Sequence, residues 1–164
     1  MFRFEDIVIL AQVGLSKATS HTLSAQGAYT LTRMKAEIDR LYNEWRERSQ
    51  RLANEVGIEN PDAFDARQEE LSKLKKKSKE EQKEWDDNNN KLNRLTELRA
   101  TLNKEEVVLN CKPMSYDDWH KLKNENKEMQ VKTLDAAGNV LDTLELFDFI
   151  EIRSEGVIWK APEE

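Results

Sequence analysis

The feature that most constrains this chain is a seven-residue apolar rhythm that runs through two neighbouring segments. Leu31, Ile38, Trp45 and Leu52 recur at heptad spacing, and Met34 and Leu41 occupy the position three residues on. Past Gly57 and Asn60-Pro61 the rhythm restarts. Phe64, Leu71, Ser78, Trp85 and Leu92 form one row, and Leu74, Glu81, Asn88, Leu95 and Leu102 form the other. Such spacing puts apolar residues on one stripe of an α-helix that faces another helix. The pattern predicts a helix from about Ser24, a fitting N-cap, to Val56, with Gly57 as its C-terminal cap. A second helix is predicted from about Asp62 to Leu102. With so short a link the two rows should zip together within one chain as a long antiparallel two-helix coiled-coil hairpin. Arg48 and Glu55 fall on the row of Met34 and Leu41, so the seam weakens toward its tip. The runs Lys75-Lys76-Lys77 and Asn88-Asn89-Asn90 are weak points in the second helix. A kink or break is expected at the asparagines, because Asn side chains compete for helix backbone groups.

Two seams alone bury little, so a third element must cover them: the N-terminal segment, the C-terminal third, or another chain. The sequence is 35% charged and 38% hydrophobic, which suits an elongated helical protein better than a thick globule. At the N-terminus Phe2 and Phe4 alternate as in a short strand, and residues 5–13 fit a short helix stopped by Gly14. Residues 105–110 read as a strand. Ser115 to Asn124 read as a helix capped by Ser115, with Asp118 completing a capping box. Residues 129–134 read as a strand followed by a turn at 135–139. The stretch from Asp142 fits either a helix start or the second strand of a hairpin, and the hairpin running into a short helix is the reading adopted. Gly156 to Trp159 is a short apolar patch. The expected class is therefore mainly α with a small α+β C-terminal part. The division is residues 1–110, an N-terminal segment plus helical hairpin, and residues 111–164, a small acidic subdomain.

Charge is unevenly placed. The formal net charge is −6, and residues 111–164 hold twelve acidic against seven basic side chains. That balance argues against a direct nucleic-acid partner and leaves an acidic end able to meet a basic protein surface. The single cysteine, Cys111, allows no intrachain disulfide, which fits a reducing cytoplasm or a secreted protein that needs no bridge, and no apolar run suits a signal peptide or a membrane span, so a cytoplasmic location is expected. His21 and His120 lack companions at metal-ligand spacing, the five glycines are scattered, and no nucleophile–base signature is present. Lys112 beside Cys111 would lower the thiol pKa, although a structural cysteine is the plainer reading. No catalytic residue, cofactor or metal is expected. Trp45 and Trp85 read as seam core. Trp119 and Trp159 read either as core of the C-terminal part or as anchors of a binding surface.

Several segments resemble one family. They are SAQGAYTLTR from Ser24 to Arg33, IDRLYNEWRERSQRLANEVG from Ile38 to Gly57, LNKEEVVLN from Leu102 to Asn110, and FDFIE from Phe147 to Glu151. In this order they resemble a group of small uncharacterised proteins of tailed phages and prophages that share a helical hairpin. The resemblance implies a phage or prophage origin and carries over no functional residue. Two functions are then expected. The first is a structural or assembly accessory that binds itself or a phage structural protein. The second is an inhibitor of a host nucleic-acid defence enzyme, of the anti-CRISPR kind, acting through an acidic surface. The residues expected to contact a partner are Trp119, Asp135, Asp142, Glu145, Asp148, Glu151, Glu155 and Trp159.

Overall fold

A computed structural model of the chain describes residues 2–11, 25–128, 130–134, 140–145, 148, 151 and 154–163. The protein is mostly helical with a small sheet component. In chain order its elements are β1 (Phe2–Arg3), α1 (Phe4–Ile9), α2 (Ala25–Glu55), α3 (Pro61–Lys73), α4 (Lys79–Asn103) and β2 (Glu106–Val107). They continue with β3 (Met114–Ser115), α5 (Tyr116–Glu125), β4 (Gln130–Leu134), β5 (Val140–Glu145) and β6 (Trp159–Lys160). The strands pair as antiparallel β1–β2, parallel β3–β6 and antiparallel β4–β5. The chain divides into two compact units, Met1–Asn43 with Glu106–Glu164, and Glu44–Glu105. Elements distant in sequence share the core of the first unit.

In the first unit the row Leu31, Met34, Ile38 and Leu41 is fully buried, as the heptad predicts, but its cover is not the Phe64 row. It shares one core with Ile7 and Leu10 from the N-terminal segment, and with Met114, Trp119, Leu122, Val157, Ile158 and Trp159 from the C-terminal third. Both candidate covering elements are used. The apolar tail patch becomes core because a turn at Gly156 (φ +74°) folds it back. Ile158 N–H donates to the Ser154 carbonyl at 2.9 Å, and Met114 N–H donates to the Ile158 carbonyl at 2.7 Å. Phe2 does lie in a strand. Phe4 instead starts α1, where Asp6 accepts the Arg3 backbone N–H at 3.2 Å. Gly14 and the connector after it lie outside the described residues. The expected strand at 105–110 is only Glu106–Val107, paired with Phe2–Arg3. The hairpin reading of 129–145 holds for Gln130–Leu134 against Val140–Glu145.

In the second unit the helices meet through spaced polar contacts. Trp45 Nε1 donates to Asn103 Oδ1 at 2.8 Å, Arg99 Nε donates to Ser49 Oγ at 2.8 Å, and Arg48 pairs with Glu105 at 2.6 Å. The partners of Trp45 and Ser49 step backward along α4 as those residues step forward along α2, so the two segments run antiparallel. Ala53, Ile58 and Leu95 form the buried cluster, with Leu52, Val56, Phe64 and Leu92 half-buried against it. Trp45 and Trp85, expected as seam core, are half-buried.

The second predicted helix is two helices, and the break is not at the asparagines. Asn88 Nδ2 donates to Gln68 Oε1 at 2.9 Å and Gln68 Nε2 donates to Asn89 Oδ1 at 3.2 Å. The side-chain amides that would compete with helix backbone are thereby occupied. The chain breaks after Lys73 instead, because Ser78-x-x-Glu81 starts a helix. The Ser78 hydroxyl accepts Glu81 N–H at 3.1 Å and Glu81 accepts Ser78 N–H at 2.7 Å, a reciprocal capping box. Ser78 and Glu81, read as seam positions, are caps.

Gly57 behaves as expected. It adopts φ +82°, Ile58 N–H donates to the Ala53 carbonyl at 2.8 Å and Gly57 N–H donates to the Asn54 carbonyl at 3.0 Å. This is a Schellman motif, and Ile58 and Ala53 supply its apolar contact. Asn60 then caps α3 by accepting Ala63 N–H at 3.1 Å, with Pro61 at the first turn. A Cβ on Gly57 would meet only the end of the Lys91 side chain, at 3.5 Å. Gly57→Ala should therefore cost about 1 kcal/mol from backbone strain alone. Urea denaturation checks this, and a loss above about 3 kcal/mol would reveal a clash that the geometry does not contain.

Candidate functional site

Among the described residues expected to contact a partner, the two tryptophans and the acids have different surroundings. Trp119 is 0% exposed and Trp159 is 7% exposed, their rings stacked with centroids 6.2 Å apart and planes 8° from parallel. This corrects the surface-anchor reading, because both indoles are core. Trp159 Nε1 donates to Ser154 Oγ at 3.1 Å and to the Glu151 carbonyl at 3.3 Å. Asp148 and Glu151 converge on Lys123 Nζ at 2.5 and 2.7 Å. Both partners raise the Lys123 pKa, Asp148 first, and the lysine offsets one of their two negative charges. Glu155 is exposed and bridges to the Trp159 backbone. Asp142 and Glu145 occupy β5 opposite Thr133 and Gln130. Asp135 lies outside the described residues.

Sequence reasoning missed Lys123, which nothing in the pattern around it marks. It also missed a groove of about 490 Å³ whose lining includes Tyr29, Arg33, Cys111, Lys112, Pro113 and Asp118. Helix α2 supplies Tyr29 and Arg33 one turn apart, with the guanidinium 5.8 Å from the ring centroid. That i, i+4 spacing was the available signal. Residues 110–115 form the other wall, where Ser115 caps α5 by accepting Asp118 N–H at 3.2 Å. The Asp118 carboxylate accepts a hydrogen bond from the Ser115 hydroxyl at 2.8 Å, so it binds that hydroxyl instead of reaching back to a backbone N–H as a full capping box would. On the same helix His120 Nε2 lies 2.6 Å from the Tyr116 hydroxyl.

Glu37 ties this wall to α2. It binds Arg40 at 2.8 and 3.0 Å and accepts Asn110 N–H at 3.1 Å. The Arg40 hydrogen bond, aided by Asn110, holds the Glu37 carboxyl below its ordinary range, with burial opposing. A depressed folded pKa contributes stability above the unfolded value and loses it as pH falls through the folded one. Glu37→Gln should therefore flatten the acid limb of the stability curve by about 1 kcal/mol. Urea midpoints at neutral pH and below pH 4 read this, and an unchanged acid limb contradicts it.

No protein-family model matches this sequence, and no curated protein or solved structure is detectably similar to it. Among the described residues no group of three or more His, Cys, Asp and Glu side chains is placed to hold a metal ion. The groove contains one soft nucleophile, Cys111, and the less favoured alternative, a thiol pKa lowered by Lys112, does not hold. Burial pushes the thiol above its ordinary range, the Glu37 carboxylate adds to this, and Arg33 opposes. Cys111 is therefore a thiol at neutral pH. Its reaction with Ellman's reagent should be on the order of 3–10-fold slower than that of a free cysteine peptide. An equal or faster rate would contradict the geometry.

The second unit carries a shallower groove of about 430 Å³ lined by Glu55, Val56, Asn90, Lys91, Arg94 and Leu98. Val56, Leu92 and Leu98 are half-buried along this part of the unit.

Proposed function

We propose that this chain is a non-catalytic protein-binding accessory of a tailed phage or prophage, working in the host cytoplasm, with an antiparallel coiled-coil hairpin as its binding arm. One observation carries the reading. The buried apolar side chains of the second unit are few, the cluster Ala53, Ile58 and Leu95 with Leu71 and Leu102 outside it, and Leu52, Val56, Phe64 and Leu92 are half-buried beside the cluster. A helical layer with so thin a core and a half-covered apolar edge gains free energy when another protein completes the burial. The antiparallel contacts of Trp45 with Asn103 and Ser49 with Arg99 support a stiff arm. Among the described residues no helix is long and apolar enough to cross a membrane.

The alternative, an acidic inhibitor of a nucleic-acid defence enzyme, draws less support, since Lys123 offsets one of the two charges of Asp148 and Glu151. Light scattering on a sizing column, joined to pull-down from phage-infected cells, tests the proposal. A self-assembled species or one reproducible protein complex is the expected result. A monomer that captures nothing sinks it.

A further inference from the structure

We infer that the turn between α3 and α4 is a docking tip for an acidic protein surface, an inference that rests on the protein-binding reading above. The stretch Lys73-Leu-Lys-Lys-Lys-Ser-Lys79 contains five lysines and no acid. In a continuous helix, consecutive lysines would be spread around the axis at about 100° each. The break after Lys73 changes that. Arg67 binds Glu84 through two hydrogen bonds of 2.8 and 2.7 Å, and Gln68 binds Asn88, so α3 folds back on α4 and the lysines gather at the connecting turn.

The acids around the turn are largely committed. Glu69 pairs with Lys73, Glu70 and Glu84 with Arg67, and Glu81 with the Ser78 backbone. Lys75, Lys76 and Lys79 are exposed and form no ion pair with a described residue. Lys77 is held over the Trp85 ring, 5.0 Å from its centroid. Leu74, 38% exposed, sits among them as an apolar contact point.

The shape of this charge selects the partner. The positive patch is confined to one turn, and behind it the helices carry Asp65, Glu80, Asp86 and Asp87, acids outside the ion pairs just named. A nucleic-acid backbone, which presents charge every few ångströms along its length, would run from the lysines onto those acids and be repelled. A lipid surface would gain only one partly exposed leucine of apolar burial, too little to anchor the tip. A compact acidic patch on a protein meets the lysines and the leucine together and stops before the flanking acids.

Anisotropy of a fluorescein-labelled oligoglutamate peptide tests this on the full chain, with a labelled DNA duplex and phosphatidylserine vesicles as parallel arms. Oligoglutamate should bind in a salt-sensitive way. The triple variant Lys75→Glu, Lys76→Glu, Lys79→Glu should weaken it by roughly tenfold or more. Amide shifts confined to residues 73–79 and the Trp85 indole would locate the contact, and Lys75→Gln with Lys76→Gln controls for charge-reversal damage. Absence of binding, binding indifferent to these substitutions, or tighter binding to the duplex or the vesicles overturns the inference. So does a charge-reversed variant that still holds its cellular partner, an outcome that leaves the protein-binding proposal standing.

Discussion

Trp119→Ala should destabilise the protein by about 3–5 kcal/mol, the range for emptying a fully buried large aromatic site. Trp119 is 0% exposed and lies flat against Trp159, so the change removes both its own burial and a stacked aromatic contact. The partial cover that Tyr116 gives Trp159, with centroids 5.7 Å apart, cannot refill an indole-sized space. Hydrogen exchange should lose protection along Leu31–Leu41 and around Leu122, which share that core. A loss below about 1 kcal/mol would mean that the indole faces solvent and that the surface-anchor reading was right after all.

The second large effect is expected at Ile38, 0% exposed on the first heptad row, where Ile38→Ala should cost about 2–5 kcal/mol. Its value lies in what it couples to. Ile38 and Trp119 belong to one cluster, whereas Leu95 belongs to another. A double-mutant cycle of Ile38→Ala with Trp119→Ala should show coupling of about 0.5–3 kcal/mol, and one with Leu95→Ala should be additive within about 0.5 kcal/mol. Additivity within about 0.5 kcal/mol in the Ile38–Trp119 cycle would contradict a shared core.

These two residues also show how far the sequence could be read. The heptad correctly marks Leu31, Met34, Ile38 and Leu41 as buried, because period reports which face of a helix avoids water. It is silent on what covers that face. The cover comes from Ile7, Leu10 and the stretch Val157–Trp159, brought in by tertiary turns with no periodicity of their own. The helix break was written in the chain as Ser78-x-x-Glu81, but the heptad claimed both residues for its rows. Two local rules competed, and the cap won because a polar pair on a seam has nothing apolar to bury. The asparagines misled for the opposite reason. Their helix-breaking tendency is real, yet Gln68, twenty positions away from Asn88, satisfies it. At the candidate site a composition tally of acids cannot see Lys123 between Asp148 and Glu151.

The pairing of Phe2–Arg3 with Glu106–Val107, and of Met114–Ser115 with Trp159–Lys160, has a kinetic consequence. The stretch Glu44–Glu105 can close on itself from neighbouring residues, the kind of local pairing that forms early. The other unit must bring together ends separated by nearly the whole chain, with a correspondingly larger loop-closure entropy. On the ribosome, at roughly 5–20 residues per second, the early strand waits several seconds for its partners to emerge. During that interval Ile7, Leu10 and the Leu31 row stand uncovered, which makes the half-made chain the species most in need of a chaperone.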